Sequence, residues 1–307
     1  MTRVLVLGGG PDAEREVSLE SSRCVAEALA SLPGLTVHRE VIARLTLPEL
    51  RALPGEVIFP ALHGPFGEGG PLQDLLELDA RPFVGCRPHA ARLAMDKVAT
   101  KLAAARAGVP TAEALILNTA DPACPMPPPV VVKPVHEGSS VGVHICRTHD
   151  DWSRARAAAV SDRAAHPART YMVERAILGG REVTVGVLDG AAFAPVEIRP
   201  ATEFYDYQAK YTRDDTTYVV DPDLPAGVSA RLREHAVTLA RAIGVRHLCR
   251  VDFLLDAASN PWLLEVNTMP GFTTHSLLPM GAQHAGLSFA ALCHRLVQFA
   301  QRDHPAA

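Results

Sequence analysis

Two apolar runs near the end of the chain, Arg250-Val-Asp252-Phe and Leu263-Leu-Glu265-Val-Asn267-Thr-Met-Pro-Gly271, constrain the fold most. Each reads as a strand, and side chains alternate across a strand, so Glu265 and Asn267 share one face. Arg250 lies two residues from Asp252, again on the same face, as a fixed cation near that set. A hairpin partnership would bring Asp252 beside Glu265 and Asn267. Three oxygen donors on rigid strands suit Mg²⁺, a hard cation that takes carboxylates together with nucleotide phosphates. A solvated hairpin with ordinary surface charges is the alternative, but such strands rarely surround their carboxylates with Phe, Leu and Val.

The rest of the chain supplies alternating strand-like and helical runs, the signature of an α/β layer with a parallel sheet. Strands are predicted at 3–7, 35–42, 56–61 and 82–84, with helices at 16–30 and 71–78. One helix is expected from His89 to Ala107, stopped by Gly108-Val-Pro110. A proline-rich connection at 121–129 leads into the strand Val130-Val-Val-Lys133, followed by a helix at 151–165 and a strand at 170–174. Arg181–Leu188 and Ala192–Ile198 flank Asp189-Gly190, a hairpin signal. From Arg199 to Pro225 the pattern dissolves into polar sequence with tyrosines at 205, 207, 211 and 218, a length of loop that is usually functional. A helix at 228–243 and another at 288–302 complete the reading.

Composition narrows the function classes. At 307 residues the chain has room for two or three cores. A formal charge of −4 gives no basic footprint for nucleic acid. No apolar run approaches membrane-spanning length, and the opening lacks the features of a signal peptide. The six cysteines show no zinc spacing, so reduced thiols and a cytoplasmic location are expected.

Other segments carry ligand-binding chemistry. Gly8-Gly-Gly10 after the first strand superficially fits a dinucleotide turn, but Glu14 and Glu16 would face the pyrophosphate, so that reading is rejected. Glu14, at a helix start, suits an ammonium group and equally suits the helix dipole. His63 opens a loop with four glycines within seven residues, at a sheet's carboxyl edge. Lys133 ends an apolar strand and precedes Glu137-Gly-Ser139-Ser-Val-Gly142, whose amides and hydroxyls can surround phosphates without forming a Walker loop. Lys97 taken alone reads as a solvated helix lysine. Glu174 and Glu182 stand at strand ends and suit an adenine amine or ribose hydroxyls, or simply solvent. The aromatic loop around Lys210 suits a lid that excludes water.

Together these residues resemble the D-alanine–D-alanine ligase family of ATP-grasp carboxylate–amine ligases. The markers occur in chain order: Gly8-Gly-Gly with Ala13-Glu-Arg-Glu-Val-Ser-Leu19, Ala61-Leu-His-Gly64, Met95-Asp-Lys97, Lys133-Pro with Glu137-Gly-Ser-Ser-Val-Gly142, Phe204-Tyr-Asp-Tyr with Ala209-Lys-Tyr211, Arg250-Val-Asp252, and Glu265-Val-Asn-Thr with Pro270-Gly271, continuing through His275-Ser-Leu277. Pro11-Asp12 stands where small polar residues are usual, and Arg175 where many relatives carry lysine beside the adenine.

The resemblance implies a mixed α/β and α+β, three-domain ATP-grasp architecture. An N-terminal parallel α/β domain would cover 1–87, a central domain 88–175 and a C-terminal domain 176–307, the last two being antiparallel-sheet domains enclosing ATP. It implies ligation of two D-alanines through an acyl phosphate, for peptidoglycan synthesis. Lys97, Lys133 and Lys210 would bind phosphates, and Glu174, Arg175 and Glu182 would contact adenine and ribose. Asp252, Glu265 and Asn267 would hold two Mg²⁺ ions, with Mn²⁺ as a substitute. Glu14 would receive the first ammonium near His63, while Ser276 and Leu277 would fix the second carboxylate. Arg250 and the Gly271 amide would stabilise the oxyanion, and Glu14, Ser139 and Tyr211 would form a hydrogen-bonded set. A homodimer is also implied. Another ATP-grasp carboxylate–amine ligase, including a D-alanyl-D-lactate type, is the alternative enzyme, and an ATP-binding scaffold the non-enzymatic one.

Overall fold

The computed structural model describes residues 1–200 and 216–304. Its first sheet is parallel, in the order β2-β1-β3, from Leu35–Ile42 (β2), Thr2–Gly9 (β1) and Val57–Pro60 (β3). Val4, Leu5, Val6 and Leu7 are all fully buried, which explains the uninterrupted apolar run of β1. Helices Arg15–Ala30 (α1), Leu47–Ala52 (α2), Gly64–Glu68 (α3) and Pro71–Asp79 (α4) complete this region. The sequence reading missed α2, whose capping signal lies in Thr46 and Glu49: the Glu49 carboxylate accepts the Thr46 amide at 2.7 Å. The expected strand at 82–84 is a single bridge from Phe83 to Ile58.

The helix expected over 89–107 is two helices, Pro88–Met95 (α5) and Lys97–Arg106 (α6). Asp96 separates them. It leaves the helical conformation, and its carboxylate accepts the Val98 and Ala99 amides at 2.9 Å each, capping α6. Lys97 is therefore the first residue of a helix and 92% buried rather than solvated (8% exposed).

The second sheet is antiparallel, ordered β4-β7-β5-β6: Ala114–Ile116 (β4), Tyr171–Arg175 (β7), Val130–Pro134 (β5) and His144–Cys146 (β6). One face is covered by His149–Ala165 (α7), through Trp152, Ala155 and Ala159. The third sheet contains Thr217–Val220 (β11), Val196–Arg199 (β10), Arg181–Leu188 (β8), Leu248–Leu255 (β12) and Pro261–Asn267 (β13) in spatial order, with Ala191–Ala192 (β9) paired to β8. The hairpin predicted at Asp189-Gly190 is present, but its return strand is interrupted between β9 and β10, where Pro195 has no amide to donate.

Helix Val228–Ile243 (α8) packs on this third sheet, and so do α5 and α6: Ala91, Ala94 and Ala104 share a core with Val183, Val251 and Leu239. Lys101 of α6 also reaches the second sheet, pairing with Glu174 at 2.8 Å. Leu277–His284 (α9) and Phe289–Arg302 (α10) close the structure. Leu278, Leu292 and Leu296 pack against Val4, Val25 and Leu29, so the two chain ends share one core. Among the described residues no helix is long and apolar enough to cross a membrane. All six cysteines are free.

Candidate active site

The antiparallel register of β12 and β13 places Arg250 opposite Asn267 and Asp252 opposite Glu265. The pairing then slips so that Phe253 faces Leu263, and Leu264 becomes an extra residue in β13. Asp252 is 4% exposed and tightly held: Thr184 donates to its Oδ1 at 2.5 Å, and Arg250 grips both oxygens, with Nε 2.9 Å from Oδ1 and Nη2 2.8 Å from Oδ2. The Asn267 side-chain oxygen accepts the Met269 amide at 3.1 Å, which fixes its orientation.

Two adjoining cavities meet at this hairpin. The larger, of about 750 Å³, is walled by Glu14, His63, Glu68, Ser139, Arg250, Asn267, Gly271, Ser276 and Leu277. The other, of about 460 Å³, is walled by Lys133, Glu174, Arg175, Glu182 and Asp252, with an apolar slot formed by Val131, Ile145, Ile177, Leu178 and Leu264. Lys97, Glu137 and Glu265 line both. A group that enters the second cavity can therefore meet one bound in the first across these three side chains. Lys210 and Tyr211 lie outside the described residues.

The phosphate-type loop after β5 is strained and anchored. Ser139 and Ser140 both have left-handed backbones (φ 52° and 59°), which non-glycine residues seldom adopt. Ser139 donates to Glu14 Oε1 at 2.5 Å, so the loop reaches across to the start of α1. Gly138 allows that approach, since a Cβ there would stand 3.1 Å from Glu14 Oε2. Arg169 holds the Glu137 carboxylate at 2.6 Å, and Lys97 Nζ donates to the Glu137 carbonyl. Burial lowers the Lys97 pKa, opposed by Glu265, whose carboxylate is 3.7 Å away.

Lys133 is joined by a residue the sequence reading did not single out. Glu174 lies between Lys133, at 2.5 Å, and Lys101, at 2.8 Å, and all three are buried. Burial alone would raise the Glu174 carboxyl, but Lys133 and Lys101 outweigh it and hold it below its usual range. Glu174 is thus a bridge between two lysines as well as part of the cavity wall. The available signal was the four-residue spacing of Lys97 and Lys101, which puts both on one helix face. The Arg175 guanidinium turns towards Glu113, 3.4 Å away.

At the far end of the larger cavity, Ser276 precedes α9 and Leu277 is its first residue. A helix start leaves amides that the helix cannot satisfy, a natural seat for a carboxylate. Ser276 Oγ accepts the Thr273 amide at 3.0 Å, which rigidifies this turn. Glu68, hidden in what read as a glycine-rich loop, is a second missed residue. Burial, reinforced by Glu14, pushes its pKa up to about 8. His63 is lowered by burial, opposed by Glu14, so its ring is neutral.

Comparison with known proteins points to one family. Residues 124–298 match the family described as D-ala D-ala ligase C-terminus. The D-alanine--D-alanine ligase of Acidiphilium cryptum is 44% identical over 303 residues, covering 97% of this chain and 98% of that one. D-alanine--D-alanine ligase B of Chromobacterium violaceum is 40% identical over 302 residues, covering 96% of each. Among solved structures, the VanG D-Ala:D-Ser ligase of Enterococcus faecalis superposes with a TM-score of 0.83 at 25% identity, over 97% of this chain and 99% of that chain. The Bacillus anthracis D-alanine--D-alanine ligase complexed with ATP gives 0.82 at 25% identity, over 98% of each.

Proposed function

This chain belongs to the D-alanine–D-alanine ligase family, and we propose on that premise that it joins two D-alanines into D-alanyl-D-alanine, converting ATP to ADP and phosphate, for peptidoglycan precursor synthesis. The ATP-grasp architecture expected from sequence is that of the family. The observation that carries the reading is the shared wall of Lys97, Glu137 and Glu265 between the two cavities. ATP occupies the cavity with the apolar slot, and its terminal phosphate reaches the shared wall. The first D-alanine presents its carboxylate to that phosphate from the other side.

A carboxylate is a poor acyl donor, so its oxygen takes the phosphoryl group and becomes an acyl phosphate. Lys97 and Lys133 neutralise charge on the phosphates, while Glu182 and the Glu174–Arg175 strand end hold the nucleoside. Asp252, Glu265 and Asn267 offer hard oxygen donors on one sheet face beside both cavities, a set that fits two Mg²⁺ ions, with Mn²⁺ as a substitute. When bound, these ions supply further charge neutralisation for the transferring group. Glu14 receives the first ammonium. The second D-alanine places its carboxylate on Ser276 and the Leu277 amide, and its amine attacks the acyl carbonyl. Arg250 and the Gly271 amide then face the oxyanion, where one such donor is commonly worth about 3–4 kcal/mol. For Lys210 and Tyr211, outside the described residues, the family resemblance implies a cover over the phosphates and, for Tyr211, a hydrogen-bonded set with Glu14 and Ser139.

We further propose three domains, with α5 and α6 carried by the C-terminal one, a cytoplasmic location and a homodimer, which sedimentation would test. The first experiment is phosphate release with ATP and Mg²⁺, comparing D-alanine, L-alanine, and D-alanine paired with D-lactate or D-serine, with products identified by mass. D-alanine-dependent release with D-alanyl-D-alanine as the product is expected, and chelation of the metal should abolish it. Nucleotide binding without any D-alanine-stimulated release would overturn the ligase reading.

A further inference from the structure

His63 lines the substrate cavity, yet both its ring nitrogens are occupied by protein groups. Nδ1 is 2.8 Å from the Met269 carbonyl oxygen and Nε2 is 3.1 Å from Ser21 Oγ. A carbonyl only accepts, so the proton is on Nδ1, and the neutral ring accepts the Ser21 hydroxyl at Nε2. Ser21 Oγ in turn accepts the Phe272 amide at 3.0 Å. The chain of donors therefore starts and ends on one turn: Phe272 N–H to Ser21, Ser21 O–H to His63, His63 N–H to Met269 C=O.

Glu68 closes the same turn from a second side. Its Oε2 accepts the Met269 amide and its Oε1 the Gly64 amide, each at 3.1 Å. Met269 is thus held at both its amide and its carbonyl, and Phe272 at its amide. Between them lie Pro270, with its fixed φ, and Gly271. Packing alone already secures the turn, because the Phe272 ring meets Phe59 and Phe289 at 5.7 and 5.6 Å between centroids. Apolar contact is non-directional, whereas hydrogen bonds fix orientation. Three buried polar side chains converging on three peptide groups add direction to a turn that is already packed.

We infer that Ser21, His63 and Glu68 are positioning residues that aim the Gly271 amide at the reacting carbonyl. This rests on the ligase reading, in which that amide faces the oxyanion. None of the three then needs to touch substrate, and their contribution appears in the tetrahedral step rather than in nucleotide binding.

The test uses the full-length Ser21→Ala and Glu68→Gln variants. It measures steady-state kinetics, equilibrium ATP binding and inhibition by a phosphinic-acid dipeptide that mimics the tetrahedral species. Misplacement of a reacting group by about 1 Å is enough to cost on the order of 100-fold. The expected result is a fall in kcat of about 10- to 100-fold in each variant, with the phosphinate weakened by a similar factor. ATP affinity should stay within about twofold of wild type. Should Ser21→Ala fail to fold, Ser21→Cys, of similar volume but a weaker acceptor, takes its place. Unchanged kcat in the variants would overturn the inference, as would ATP and phosphinate affinities falling together. Failure of the wild-type protein to make dipeptide would instead overturn the ligase reading.

Discussion

At the scale of single residues, the site is governed by buried charge held in balance. Lys101, Glu174 and Lys133 form a row in which one carboxylate serves two cations. Removing one member of a buried ionic group commonly costs about 3–5 kcal/mol, because the partner is left without compensation. Lys101→Met leaves Glu174 still paired with Lys133 at 2.5 Å, so the loss in a urea titration should stay below that range, and Lys133, now carrying the carboxylate without Lys101, should bind ATP more weakly. Gly138→Ala tests the approach of the loop to Glu14. Its Cβ would stand 3.1 Å from Glu14, so the Ser139–Glu14 hydrogen bond should lengthen. The expected outcome is a rise in KM for the first D-alanine with ATP binding unaltered, read from initial rates at fixed ATP. These contacts were only half legible beforehand. Glu14, Ser139 and Lys133 announced themselves by residue type and setting. Lys101 and Glu68 did not, since a lysine on a helix and a glutamate among glycines look solvated until long-range packing buries them.

At the scale of elements, Asp96 decides where Lys97 points. Its cap ends one helix and starts the next, and it satisfies two amides. Asp96→Ala should cost about 1 kcal/mol of stability, and it should also raise KM for ATP by letting Lys97 rejoin a continuous helix; Asp96→Asn, which keeps the acceptor, should restore most of both. Sequence periodicity alone favours the single long helix, because α5 and α6 are both alanine-rich and nothing apolar marks the break. The strands were more legible. Leu35–Ile42 and Arg181–Leu188 have the bounds that their residue patterns predict. The face-sharing of Glu265 and Asn267 followed from alternation alone. Short β4 and β6 were missed because three residues carry too little pattern to distinguish a strand from a connection. The extra residue at Leu264 was equally silent, since a bulge depends on the partner strand.

At the scale of the whole molecule, distant segments are tied by a small polar lock around His247. Its Nδ1 accepts the Gly85 amide and its Nε2 faces Asp303, each at 3.1 Å, while Arg302 pairs with Asp189. Burial lowers His247 to about 4, with Arg246 adding to the effect. Because that value lies below the unfolded one near 6.5, the neutral ring favours the folded state fully above about pH 6.5. This contribution fades as the pH falls from about 6.5 towards 4, by up to about 3 kcal/mol. Asp189 and Asp303 are also lowered, by Arg302, so their contribution is lost only at still lower pH. Stability measured by denaturant between pH 7 and pH 4.5 should fall more steeply for the wild type than for His247→Gln. The shared core of β1, α1 and α10 has a consequence in time. Residues 2–9 complete their packing only against residues 289–302. At translation rates of about 5–20 residues per second, the first sheet waits roughly 15–60 s on the ribosome for its cover. During that interval the nascent chain presents an apolar surface to chaperones, and it cannot consume ATP, because the hairpin that completes the site emerges barely ahead of that cover.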